Sequence, residues 1–329
     1  MLALTRYDIR QIVSMRDAID LVKFAFRELS EGRATVPLRS FIDVEPGRDV
    51  MFMMPAFLPG MQALGFKMIS IFQENGKRGL PVGNAILCAV NAETGVPEAL
   101  MNGAYLTALR TGAVSGASTE LMAREDARHL VVIGSGTQGV TQAAAVSEVR
   151  DIERITVVYR HEESFDRYRE RIAADWPNLL DRVEGTSDTE TAVRQADVLC
   201  LATTSKTPVF EDEWIKPGTH VSGVGSFTPQ MQEAPAGFVA RARVVVDMRE
   251  HALEEAGDLI IPLRDGTISQ DHVVGELGEV VAGKVSGRTS RDEITFFKSV
   301  GNAVQDMAVA SAAFKGAKEK GLGQEINLG

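Results

Sequence analysis

Apolar positions along the chain fall into three textures. From 14 to 31 they recur at helical spacing, at Ala18, Leu21, Val22, Ala25, Phe26 and Leu29. Ser14 precedes the run, Asp17 sits three positions on, and Gly32 follows it. A hydroxyl that accepts from the first turn while a carboxylate reaches back is a capping box, so the pattern predicts a helix over 14–31. From 36 to 110 short apolar runs (MFMMPAF, LGFKMISIF, NAILCAVNA) are separated by Gly, Pro and Asn. That punctuation predicts a small, largely antiparallel sheet, with a turn at the ETG of 93–95. Residues 106–122, rich in Ala, Thr and Gly, read as a helix able to pack closely. From about 128 strands and helices alternate: HLVVI, GTQGVTQAAAVSEV, ITVVY, ESFDRYRERIAADW, DVLCLATT, HVSGVGS, ARVVVDM. Such alternation builds a parallel, doubly wound sheet. An Ala-rich helix over 301–320 follows once those strands are used up, and is expected to return to the first part. The predicted architecture is α/β: a Rossmann domain over 123–302 and a smaller α+β domain from 1–122 and 303–329.

Composition changes this picture little. The chain has 329 residues and a formal net charge of −10, which supplies no basic face for nucleic acid. Cys88 and Cys200 each sit in an apolar run and read as small buried hydrophobes, with no disulfide framework. No apolar run reaches the roughly 18 residues of a membrane span, and MLALTRYDIR is too charged for a secretory signal. A cytoplasmic, soluble protein is expected. The histidines (His129, His161, His220, His251, His272) show no ligand spacing, so no metal site is expected.

The strongest motif is Gly134-Ser135-Gly136-Thr137-Gln138-Gly139, placed between a strand and a helix. In that frame the first glycine permits the turn, the second lets a pyrophosphate approach and the third lets helix pack on strand. The helix N-terminus offers its N–H groups to the phosphates. The next strand ends in Tyr159, Arg160 and His161, where NAD enzymes carry a carboxylate for the ribose 2′-OH. An arginine there suits a 2′-phosphate, so NADP(H) is favoured over NAD(H). Ala202, Thr203 and Thr204 end the third strand, where this fold places the ribose of the nicotinamide. On the other side, Arg39, Lys67 and Arg110 each stand in an apolar run. Such charges need a partner, and three of them suit a substrate carboxylate. A buried Lys67 is also easily shifted toward proton transfer.

Taken together, VPLRS at 36–40, GFKMIS at 65–70, GLPVGNAILCAVNAETGVPEALMNG at 79–103, LTALRTGAVSGAS at 106–118, VVIGSGTQG at 131–139, VGSFTPQMQE at 224–233 and FKSVGNAVQD at 297–306 resemble the ornithine cyclodeaminase/mu-crystallin family. The resemblance covers nearly the whole chain. It implies a homodimer joined through the substrate domain, and action on small amino acids or their imines with NAD(P). It implies that Arg39, Lys67 and Arg110 bind the substrate carboxylate and assist proton transfer, with Met53 on the substrate side. Ser299, Val300 and Gly301 would lie beside the nicotinamide, and Thr111, Val224 and Ser226 join the implied cofactor contacts. One departure matters. Cyclodeaminases and similar alanine dehydrogenases carry an Asp where this chain has Phe227, and the GSFTP version resembles members that reduce cyclic ketimines such as Δ1-pyrroline-2-carboxylate. The alternatives are an ornithine cyclodeaminase, an alanine dehydrogenase, or an NADPH-binding protein of the mu-crystallin kind with little turnover.

Overall fold

The computed structural model describes residues 1–327. By contacts the chain divides into two units, Met1–Arg110 with Asn302–Gly329, and Thr111–Gly301. The division falls inside the helix Gly103–Met122, whereas the sequence suggests a boundary at its end, 122/123. An uninterrupted helix gives no local signal at its middle. Leu328 and Gly329, the end of the predicted second segment, lie outside the described residues. Strands are numbered along the chain: β1 (Leu2–Leu4), β2 (Ser40–Glu45), β3 (Asp49–Leu58), β4 (Ala63–Phe72), β5 (Gly83–Val90) and β6 (Pro97–Asn102) precede the glycine motif. Then come β7 (His129–Ile133), β8 (Arg154–Val158), β9 (Val183–Thr186), β10 (Val198–Leu201), β11 (His220–Gly223), β12 (Arg243–Val246), β13 (Val273–Glu276), β14 (Thr295–Lys298) and β15 (Gln324–Glu325).

In the first unit the order is β15-β1-β6-β5-β4-β3-β2, antiparallel from β6 to β2, with β1 parallel to β6. Burial alternates along β3, so one face is covered and the other is open. The helix Ala303–Lys320 lies on the covered face: a Cβ on Gly65 would sit 3.0 Å from the Met307 sulfur. The predicted N-terminal helix spans Met15–Ser30, capped by the expected Ser14–Asp17 box, and packs against that C-terminal helix. Its stripe Ala18, Ile19, Val22, Ala25 and Phe26 is fully buried, each large side chain contributing about 1.5–3 kcal/mol.

The second unit is a parallel sheet, β13-β12-β14-β11-β10-β7-β8-β9. β7, β10, β11 and β14 are buried at every position, as strands covered on both faces must be. The strand order reverses direction between β7 and β10, the switch point at which such sheets bind ligands. The Ala/Gly-rich helix has its reason here: a Cβ on Gly112 would lie 2.5 Å from the Thr141 carbonyl, so two helices meet backbone to backbone.

Candidate functional site

In the first unit Lys67 sits on β4 opposite Met54 of β3 and Leu87 of β5, facing the C-terminal helix. It is 1% exposed, and its Nζ donates to Asp306 Oδ2 at 2.7 Å. Arg110, also buried, donates from Nε to Asp306 Oδ1 at 3.0 Å and from Nη1 to Gln305 Oε1 at 3.3 Å. One carboxylate with no exposure therefore serves two buried cations. Arg39 is half-buried, its guanidinium 4.7 Å from the Phe52 ring centroid, and its charge is felt at Lys67. Burial, then repulsion from Arg110, draws the Lys67 pKa down to about 8; Asp306 opposes this, and Arg39 adds a smaller repulsion. Lys67 is thus held well below the ordinary lysine range.

Met53 does not join this group. It pairs with Met68, one register step from the Met54–Lys67 pair, so its side chain lies on the opposite face of the sheet. The sequence motif carries no register, which is why the two faces were not distinguishable. Asp306 and Gln305 complete the group, and neither stands out in the sequence. The signal available was a lone acid inside an apolar helical run, NAVQDMAVASAA.

The second unit carries the glycine motif between β7 and the helix Thr137–Val149. Gly134 has φ +123°, and a Cβ there would meet the Ala202 carbonyl at 2.4 Å. On Gly139 a Cβ would lie 2.0 Å from the Gly134 carbonyl. Gly136 differs: it has φ −81° and ψ −176°, open to any residue, and a Cβ there would meet nothing within 4 Å. The folded chain itself does not require glycine at 136. A ligand that pressed against the backbone there would, and a dinucleotide pyrophosphate is one that fits. The following helix has no side-chain cap, so its first N–H groups are offered to an anion. Gly136 and Thr137 are exposed, Ser135 and Gln138 half-buried.

Past β8, the Tyr159 ring stacks on Phe165 at 5.5 Å, while Arg160 and His161 are exposed. Past β10, Ala202 and Thr203 are half-buried and Thr204 is exposed; the Thr203 hydroxyl accepts the Ser205 N–H. Thr111 is buried in its helix, and Val224 is half-buried beyond β11. Past β14, Asp247 gathers the next loop: its Oδ2 accepts the Ser299 hydroxyl at 2.7 Å, the Val300 N–H at 3.0 Å and the Gly301 N–H at 2.9 Å. Ser226 departs from expectation. It is fully buried, its hydroxyl donates to the Met231 carbonyl and accepts the Asp258 N–H, and its own N–H goes to Glu233. Those bonds leave Ser226 a structural residue rather than a ligand contact. Phe227 packs partly buried against the apolar core of this unit. Asp247 and Glu233 were not singled out from sequence, although VVVD places an acid directly after a buried strand.

A model of the ornithine cyclodeaminase/mu-crystallin family matches residues 1–321. A Delta(1)-pyrroline-2-carboxylate reductase of Bacillus cereus is 38% identical over 329 residues, covering 100% of both chains. Among solved structures, a Thermococcus litoralis Delta(1)-pyrroline-2-carboxylate reductase in complex with NADH and L-proline is 38% identical, with TM-score 0.94 over 99% of this chain and 100% of that one. An archaeal alanine dehydrogenase dimer with bound NAD is 32% identical, with TM-score 0.91 over 100% and 99%. Among the described residues no helix is long and apolar enough to cross a membrane.

Proposed function

The chain belongs to the ornithine cyclodeaminase/mu-crystallin family, and from that premise we propose that it is an NAD(P)H-dependent reductase of small cyclic imino acids of the Δ1-pyrroline-2-carboxylate type, yielding proline-like amino acids. The observation that carries the reading is the buried cluster around Lys67 of β4. Two buried cations, Lys67 and Arg110, share the single carboxylate of Asp306, and the charge of Arg39 is also felt at Lys67. Buried positive charge in such excess is costly, and an anionic substrate relieves it. Arg110, with Arg39, holds the substrate carboxylate. The Lys67 ammonium, fixed by Asp306, keeps a proton on the imine nitrogen, which makes C2 electrophilic. The reduced nicotinamide supplies the hydride when bound; the residues for it are Gly134–Gly139, Tyr159–His161, Ala202–Thr204, Thr111, Val224 and the 299–301 loop. An imine that is already an electrophile needs no acid at position 227, and Phe227 provides none. The relatives whose names state this activity support the same conclusion.

The preference for NADPH over NADH rests on Arg160 and on the absence of a carboxylate from 159–161. Assembly as a homodimer is supported by the open face of the first unit's sheet, where Ile42 and Ile86 are 59% and 44% exposed beside Met51, Met53 and Met68. A cytoplasmic location accords with a pyridine-nucleotide enzyme. A panel of pyrroline-2-carboxylate, piperideine-2-carboxylate, pyruvate with ammonia, and ornithine, each with both cofactors, tests the function. Reduction of the cyclic imines is the expected result. Turnover of pyruvate with ammonia alone would assign the chain to alanine dehydrogenase chemistry, which the archaeal likeness favours as the second reading.

A further inference from the structure

One carboxylate holds the loops that follow both β10 and β11. Glu233 is fully buried. Its Oε1 accepts the Thr203 N–H at 2.6 Å, and its Oε2 accepts the Gly225 N–H at 2.7 Å and the Ser226 N–H at 3.1 Å. The backbone N–H groups of Glu233 and Ala234 donate in turn to Asp258 Oδ1 at 2.7 and 2.9 Å. Asp258 Oδ2 lies 3.1 Å from the Nζ of Lys298 on β14, and both side chains have no exposure. The fit is tight: a Cβ on Gly225 would lie 2.2 Å from the Thr203 carbonyl and 2.4 Å from Glu233 Oε1.

A buried charge set among neutral donors needs a purpose beyond closing two turns, which neutral side chains manage at less cost. β10 borders the switch point and β11 is next to it, and ligands of such sheets lie beyond the strand ends there. We infer that Glu233 is a positioning residue for the dinucleotide, its ionised carboxylate clamping the loops at 203–205 and 224–226 in the shape that receives the nicotinamide half. The inference rests on the reading, given above, that Ala202–Thr204 and Val224 belong to the dinucleotide site. The two oxygens serve three N–H donors. Adding a proton, or replacing one oxygen with an amide nitrogen, turns one of them toward an N–H as a second donor and opens a loop. The groups that face Glu233 are Asp258 from the helix Gly257–Arg264, Lys298 from β14 and Thr203 from the β10 loop. Burial, assisted by Asp258, pushes its pKa up to about 7 against the pull of Lys298 and the Thr203 donors. Loss of the clamp thus falls near neutrality.

The test uses NADH, which lacks the 2′-phosphate that ionises near pH 6. Its Kd for the full-length apoprotein is measured by fluorescence between about pH 6 and about pH 8, with calorimetry in two buffers to count protons exchanged on binding. The wild type is expected to bind roughly tenfold more weakly at the acid end, consistent with about one unit of linked ionisation, and to release protons on binding at neutral pH. Glu233→Gln should show the weak Kd at every pH, exchange fewer protons, and raise the KM for NADH more than it lowers kcat. Any pH dependence that arises elsewhere in the protein persists in the variant and so separates from the clamp. If the variant does not fold, proton release by the wild type decides. Tight, pH-independent binding of NADH without proton exchange overturns the clamp alone. Absence of binding by the wild type at all pH values overturns the dinucleotide reading, and the clamp with it.

Discussion

Replacing Asp306 with Asn tests the proposed chemistry most directly, because it removes one charge and leaves the shape. Lys67 Nζ lies 2.7 Å from Asp306 Oδ2, with side-chain exposures of 1% and 0%. At an effective dielectric near 20, opposite charges about 3 Å apart attract by about 5 kcal/mol. Each 1.36 kcal/mol corresponds to about one pKa unit. Relaxation and the hydrogen bond that an amide oxygen retains take back part of this, so a fall of at least about one unit is expected. The sign follows from the charges: Asp306 raises the Lys67 pKa while burial and Arg110 lower it to about 8, so removing Asp306 leaves only downward influences. The kcat/KM for pyrroline-2-carboxylate reduction, followed across about pH 6–10, should fall on a basic limb near pH 8 in the wild type and near pH 7 or below in Asp306→Asn. Ionisation of free substrate is common to both enzymes and cancels in the ratio. Lys67→Arg, which stays protonated throughout, should show no basic limb in this range. Stability gives a second readout. Orphaning a buried cation costs about 3–5 kcal/mol, and a Lys67 that deprotonates escapes its share, so the deficit of Asp306→Asn should shrink between about pH 7 and about pH 9. A basic limb that coincides in wild type and Asp306→Asn, with a pH-independent stability deficit, would refute Lys67 as the titrating donor.

Three further outcomes are expected. Gly136→Thr should fold as stably as the wild type, since the backbone there suits an N-cap hydroxyl and the space is open; it should nevertheless weaken NADH binding more than tenfold, whereas Gly139→Ala, with its Cβ 2.0 Å from a carbonyl, should lower the melting temperature. Wild-type affinity for the dinucleotide in Gly136→Thr contradicts the pyrophosphate placement. Arg160→Ala should reduce kcat/KM with NADPH by about ten- to a hundredfold, the worth of a charge-assisted bond of about 1.5–3 kcal/mol, and leave NADH unaffected; an equal loss with both cofactors counts against a 2′-phosphate contact. Ile42→Asp with Ile86→Asp should convert a dimer to monomers in light scattering while each monomer keeps its helical content, and an unaltered dimer would place the contact elsewhere.

What the sequence made readable was whatever is repeated or local. The Ser14–Asp17 box, the alternation after 128 and the glycine motif each act within one or two turns of chain, and each stands in the structure where its pattern predicts. What escaped depends on partners remote in sequence. β14 reads poorly as a strand because TFFK ends in a lysine, yet Lys298 is fully buried by virtue of Asp258, forty residues earlier. β9 and β13, VEGT and VVGE, are short and carry acids, and only their places in the sheet make them strands. The same logic separates the candidate residues. Lys67 and Arg110 were visible as charges in apolar runs, but Asp306, which makes both tolerable, lies 239 residues from the one and 196 from the other. Met53 was misplaced for the complementary reason: a single register step in an antiparallel pair decides its face, and no local pattern records it. The buried acids Glu233, Asp247, Asp258 and Asp306 are therefore the informative class in this chain. Each pins backbone amides or cations that arrive from another segment, so each marks a place where the fold spends stability on a fixed geometry rather than on packing. Mutating them should perturb ligand affinity and pH dependence more than mutating apolar neighbours of equal burial, which should register mainly in stability.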